Sequence, residues 1–152
     1  MKEIVGNLTA AEMKIALVVS RFNSFLTEQL VKGAEDAFVR LGGDTKNLTL
    51  VRVPGAYEIP VVAKKLAAKK LDAIVALGAV VQGATVHADL INQATAKAFT
   101  EISVETGVPV LNAIVSADNL EQAVERCGTK QGNKGFSAMF AAVEMADVLK
   151  RI

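Results

Sequence analysis

Asp72-Ala73-Ile74-Val75-Ala76-Leu77-Gly78-Ala79-Val80-Val81 decides the fold of this chain. After its first residue the run is apolar or glycine throughout, rich in β-branched side chains, and far shorter than a membrane span. A strand with one wet face alternates polar and apolar residues. One that is apolar at consecutive positions is covered on both faces, as in a parallel sheet lying between helices. Asp72–Val81 is therefore read as a central strand.

Outward from it, strand and helix signals alternate. Toward the N-terminus, Glu58–Lys70 reads as a helix with Pro60 in its first turn, and Pro54-Gly55 as a turn closing a short strand, Thr49–Val53. Before these lies a helix with Asn23 or Ser24 as its cap. It carries Leu26, Leu30, Ala34, Phe38 and Leu41 on one face, and Gly42-Gly43 ends it. Lys14–Val19 is another continuous apolar strand. Toward the C-terminus, Asp89–Glu105 repeats the helical spacing with Leu90, Ala94, Ala98 and Ile102. Gly107 and Pro109 then lead into strand Val110–Val115. Asp118-Asn119-Leu120-Glu121 has capping-box spacing for a short helix. A last helix places Phe136, Met139, Phe140, Val143 and Ala146 on one side. This pattern predicts an α/β fold: a single-domain three-layer α/β/α sandwich around a four-stranded parallel sheet with right-handed crossovers. Ile4, Val5 and Leu8 allow one further strand in the N-terminal arm, residues 1–12.

The 152 residues amount to one domain. A net charge of +1 with no block of like charges argues against a nucleic-acid surface. Cys127 is the single cysteine and His87 the single histidine, which excludes a disulfide framework and a Cys-based zinc site and leaves little for any transition metal. The opening Met1-Lys2-Glu3-Ile4-Val5-Gly6 is too polar for a signal peptide, and a cytoplasmic protein is expected. Hydrophobic residues make up 51% of the chain and the mean hydropathy is +0.34. That is apolar for a small monomer and reflects either an Ala- and Val-rich core or, the favoured reading, apolar surface buried between subunits.

In a sheet of this kind ligands bind beyond the carboxyl ends of the strands. The loops there are Ser20-Arg21-Phe22-Asn23, Pro54-Gly55-Ala56-Tyr57-Glu58, Gln82–His87 and Ser116-Ala117-Asp118. Phe22 is a packing residue or a platform for a flat ring. Glu58 favours a helix N-terminus through the dipole or accepts from ligand hydroxyls. Gly83-Ala84-Thr85 is an ordinary turn or offers backbone N–H groups to an anion before a helix. His87 is a solvated first-turn histidine or a general acid/base. A second cluster, Arg126–Gly135, holds Arg126, Lys130, Lys134 and glycines between two helices; it is a solvated connection or a phosphate site. Cys127 continues an apolar stripe with Leu120 and Val124 and reads as a buried small residue. The residues thus suggest a pocket for a flat ring and a phosphate with one proton-transfer group, suited to elimination or condensation.

Taken together, Ser20–Asn23, Val53-Pro54-Gly55-Ala56-Tyr57-Glu58-Ile59-Pro60, Gly78–His87 and Leu120–Gly135 resemble the lumazine synthase family of riboflavin biosynthesis. The resemblance runs from Lys14 to Ile152 and implies a flavodoxin-like fold. It further implies condensation of 5-amino-6-(D-ribitylamino)uracil with 3,4-dihydroxy-2-butanone 4-phosphate through a Schiff base, phosphate elimination and ring closure, with no cofactor and no metal. By motif position Phe22 would stack on the pyrimidine. Ala56, Tyr57 and Glu58 would contact the uracil substrate and its ribityl chain, and Ala79, Val80 and Val81 would present backbone groups to it. Ala84, Thr85, Arg126 and Lys134 would hold the phosphate, and His87 would transfer protons. Arg126 and Asn112 would come from a neighbouring subunit.

Gln82, Ala88 and Asn112 stand where the family commonly has an arginine, an aromatic and a phenylalanine, which bears on affinity more than on reaction class. The family forms pentamers, and the short Gly128–Gly135 loop resembles that of members closing twelve pentamers into an icosahedral shell. A catalytically weak shell former, a pentameric riboflavin synthase of the same fold and a flavin- or lumazine-binding relative are the competing expectations.

Overall fold

The computed structural model of the chain describes residues 1–83, 87–128 and 132–152. In chain order the elements are β1 (Ile15–Ser20), α1 (Ser24–Arg40), β2 (Leu48–Val53), α2 (Ile59–Ala67), β3 (Ala73–Val81), α3 (His87–Thr106), β4 (Val110–Ala117), α4 (Leu120–Arg126) and α5 (Lys134–Arg151). Single 3-10 turns, Thr45–Asn47 and Ala56–Glu58, precede β2 and α2.

The four strands form one parallel sheet in the order β2-β1-β3-β4. β3 is buried at every position but its last, as its unbroken apolar run requires. Successive side chains of a strand point to opposite faces. Leu17, Val19, Val75 and Leu77 therefore enter a core with α1, α4 and α5, while Ala16, Val18, Ile74 and Ala76 enter the core on the other face with α2 and α3. The chain winds from β1 out to β2, then returns past β1 to β3. The reversal opens a crevice between the carboxyl ends of β1 and β3, where a doubly wound sheet places its ligand.

α1 and α5 cross too closely for side chains at the contact. A Cβ on Gly135 would lie 2.2 Å from the backbone oxygen of Leu30, and one on Gly33 would lie 2.3 Å from the Asn133 side chain. Asn133 joins three elements there. Its Oδ1 accepts from the Phe136 N–H at the start of α5 (3.0 Å), and its Nδ2 donates to the carbonyls of Gln29 in α1 (2.8 Å) and Cys127 after α4 (3.2 Å). The far end of α1 closes as expected. Gly42 adopts φ 87°, and the N–H groups of Gly42 and Gly43 reach the carbonyls of Val39 and Phe38, the paired bonds of a Schellman closure.

Several boundaries differ from expectation. Asn23 stands at the start of α1 but makes no side-chain cap. Its left-handed backbone (φ 58°) turns the amide away, and Nδ2 donates to the Ala79 carbonyl of β3 at 2.9 Å. The helix expected over Glu58–Lys70 stops at Ala67. Asp72 is held at the foot of β1 by reciprocal bonds with Lys14, its carboxylate accepting from the Lys14 N–H (2.7 Å) and its own N–H donating to the Lys14 carbonyl (2.8 Å). The box expected at Asp118 and Glu121 is displaced by one residue because β4 runs on to Ala117. Asn119 accepts from the Gln122 N–H (2.9 Å) and the Gln122 side chain accepts from the Asp118 N–H (3.0 Å).

The arm of residues 1–12 forms no strand within the chain. It lies along α5 instead: the Asn7 N–H donates to Asp147 at 2.7 Å, Gly6 packs on the backbone of Glu144, and the buried Ala10 donates its N–H to the Leu41 carbonyl. The Asn7 bond, with Arg151 and Lys150 nearby, holds the Asp147 carboxyl below the usual aspartate range. Among the described residues no helix is long and apolar enough to cross a membrane.

Candidate active site

The crevice is built by backbone bonds between strand ends. The Arg21 N–H donates to the Val53 carbonyl (2.8 Å) and the Phe22 N–H to the Pro54 carbonyl (3.2 Å), fixing the loop after β1 to the loop after β2. The Asn23 bond to Ala79 ties the same loop to β3. Thr27, fully buried in α1, donates its hydroxyl to the Ser20 carbonyl at 2.9 Å and closes the floor.

These constraints enclose a cavity of about 530 Å³ lined by Ser20, Phe22, Asn23, Pro54, Gly55, Ala56, Tyr57, Glu58, Ala79, Val80, Val81, Gly83, His87, Ala88 and Ile91. Phe22 is 72% exposed, so its ring is offered to the cavity mouth and not spent on the core. Tyr57 and Glu58 leave the 3-10 turn before α2, where Gly55 makes room: a Cβ there would sit 3.0 Å from the Glu58 carboxylate. His87 is the first residue of α3 and meets Tyr57 edge-on, with ring centroids 6.2 Å apart and planes at 71°.

The cavity thus gathers eight expected residues, Phe22, Ala56, Tyr57, Glu58, Ala79, Val80, Val81 and His87. Ala84 and Thr85, the expected phosphate holders, lie outside the described residues. Ile91 was not anticipated. It stands one turn after His87, and the i, i+4 spacing on α3 was a legible signal for a shared face.

Asn112, Arg126 and Lys134 do not line the cavity. They gather at β4, the outer edge of the sheet, and their polar groups lie on its backbone. Asn112 Oδ1 accepts from the Ile114 N–H (3.0 Å), Lys134 Nζ donates to the Ile114 carbonyl (2.8 Å), and Arg126 donates to the Ser116 carbonyl. Asn92 adds a bond to the Ser116 hydroxyl at 2.8 Å. Partial burial, then the charge of Arg126, lowers the Lys134 ammonium from its ordinary value. Two cations beside a sheet edge make a local field suited to an anion. The neighbouring Cys127 is buried, and burial pushes its thiol up to about 11, so it is protonated and poorly nucleophilic at neutral pH.

Residues 12–150 match the model of a family described as 6,7-dimethyl-8-ribityllumazine synthase. The chain belongs to the 6,7-dimethyl-8-ribityllumazine synthase family. The 6,7-dimethyl-8-ribityllumazine synthase of Desulfotalea psychrophila (strain LSv54 / DSM 12343) is 50% identical over 147 residues, covering 96% of this chain and 95% of that protein. Membership over nearly the whole length makes the chain a transferase of riboflavin biosynthesis.

Proposed function

We propose that the cavity between the ends of β1 and β3 is where this chain condenses 5-amino-6-(D-ribitylamino)uracil with 3,4-dihydroxy-2-butanone 4-phosphate, and that a second copy completes it. The overall reaction gives 6,7-dimethyl-8-ribityllumazine, with loss of phosphate and water. The observation that carries the siting is one of grouping. A ring platform (Phe22), a carboxylate (Glu58), strand-end backbone groups (Ala79, Val80, Val81) and the imidazole of His87 share one cavity. The cations suited to phosphate sit apart on β4.

In this reading Phe22 stacks on the pyrimidine and Glu58 accepts from ribityl hydroxyls, with Ala56 and Tyr57 beside them. His87 shuttles the protons that imine formation, elimination and dehydration require. Arg126 and Lys134, with Asn112, reach the site of the adjoining copy, where positive charge stabilises the departing phosphate together with Ala84 and Thr85. The whole chain acts as one domain, and the start of the 1–12 arm, ahead of the Asn7 bond to Asp147, adds a strand to a neighbour's sheet. The assembly is a pentamer, twelve of which close into a shell, and the protein works in the cytoplasm. Support for assembly comes from exposed apolar side chains on successive elements, among them Val61 (70%), Leu90 (54%) and Val104 (81%).

The test mixes the purified protein with both substrates and follows lumazine and phosphate together. Equal release of the two is expected. Absence of both from an assembled protein would overturn the siting.

A further inference from the structure

We infer that Tyr57 is a positioning residue for His87, holding the imidazole in the orientation that proton transfer uses. The inference rests on the reading of His87 as the proton-transfer group and adds a second role to Tyr57 beyond contact with the substrate.

Tyr57 and His87 come from segments far apart in sequence, the 3-10 turn Ala56–Glu58 and the first position of α3, and both line the cavity. Their ring centroids lie 6.2 Å apart with planes inclined at 71°. That geometry falls in the edge-to-face range, in which the positive edge of one ring meets the negative face of another. Core packing does not account for the pair. Tyr57 is 48% exposed and His87 is also exposed, so neither ring is placed by burial.

A side chain at the mouth of a cavity loses rotamer freedom when it is fixed, and that loss opposes order. An edge-on aromatic neighbour offsets part of it and raises the share of the favoured rotamer by about two- to tenfold. Proton transfer needs the imidazole nitrogen within roughly 2.6–3.2 Å of its partner, so turnover scales with the share of molecules in which the ring already points correctly. The edge and face belong to the ring and not to the phenol hydroxyl. Phenylalanine at position 57 therefore preserves the effect and leucine abolishes it while keeping apolar bulk.

The experiment compares Tyr57→Phe, Tyr57→Leu and the unmodified enzyme, each confirmed as assembled by sedimentation. Two quantities are read: kcat and KM for both substrates, and the solid-state NMR spectrum of isotope-labelled histidine. Because the chain has one histidine, every imidazole signal belongs to His87. For Tyr57→Leu, kcat is expected to fall about three- to tenfold, in addition to any rise in KM from the lost substrate contact. The His87 signals of the substrate-free enzyme should shift or split. Tyr57→Phe, which keeps the ring, should retain the histidine spectrum of the unmodified enzyme and a kcat closer to it than that of Tyr57→Leu. A Tyr57→Leu loss confined to KM with an unaltered histidine spectrum would reduce Tyr57 to a substrate contact and overturn the inference. Full turnover by His87→Ala would instead remove the proton-transfer reading. The histidine spectrum needs no turnover and still decides whether Tyr57 holds the ring.

Discussion

His87 is the residue to which the proposed function gives proton transfer. It is the single imidazole of the sequence, it opens α3, and it faces the same cavity as Phe22 and Glu58. Positioned general acid/base groups contribute about 10²- to 10⁴-fold to a rate. His87→Ala is therefore expected to lower kcat by about a hundredfold or more while the sedimentation profile stays that of the unmodified protein. A rate within a few-fold of normal would move proton transfer to solvent or to the substrate itself. Cys127 is the contrasting case. Its place at the end of the apolar stripe begun by Leu120 and Val124 marked it as a packing residue, and its burial and raised thiol agree. Asn23 could not have been read the same way. Its type suits a helix cap, yet a left-handed backbone turns its amide to Ala79, and that choice depends on where β3 ends.

At the scale of elements, the junction of α1, α4 and α5 is held by a few small or polar residues. Asn133 caps α5 and serves two carbonyls of other elements, while Gly33 and Gly135 permit the helices to meet. Asn133→Ala removes the cap and leaves those carbonyls without this donor, a loss of about 2–3 kcal/mol. Gly135→Ala drives a methyl into the Leu30 carbonyl and costs about 1–3 kcal/mol or more through forced separation of α1 and α5. Chemical denaturation of both variants measures these losses; an unaltered midpoint for Gly135→Ala would mean that the crossing yields without strain. β4 is an exposed sheet edge, and such edges invite unwanted strand pairing. Here Asn112, Lys134 and Arg126 occupy the Ile114 N–H, the Ile114 carbonyl and the Ser116 carbonyl, so the side chains suited to an anion also cover that edge.

At the scale of the whole molecule, the separation of cavity and cations is what the proposed assembly would resolve. One copy carries the ring platform and the imidazole at the β1–β3 crevice and the cations at β4. A closed ring of copies, each lending its β4 edge to the next cavity, uses both in every subunit, as a head-to-tail interface allows. The exposed apolar side chains of α2 and α3 then gain cover. Sedimentation velocity at working concentration is expected to show a single large species of sixty copies. A boundary confined to pentamers would remove the shell and leave the ring.

The order of strands and helices, the parallel sheet and its layers were legible in the sequence, because side-chain period and apolar run length are local properties. β3 and the Gly42-Gly43 stop of α1 are the plainest cases. Most cavity residues were legible too, since a doubly wound sheet brings its strand-end loops to one side. Tertiary structure alone decided the rest. α2 stops at Ala67 and Asp72 pairs with Lys14 beyond it, and extension of β4 moved the cap of α4 to Asn119 and Gln122. Docking on Asp147 laid the N-terminal arm along α5. The split between the His87 cavity and the Arg126–Lys134 edge also belongs to this level. Sequence spacing ranks residues along one chain, whereas the side of a sheet edge on which a side chain finds its hydrogen-bond partner depends on elements brought together only by folding.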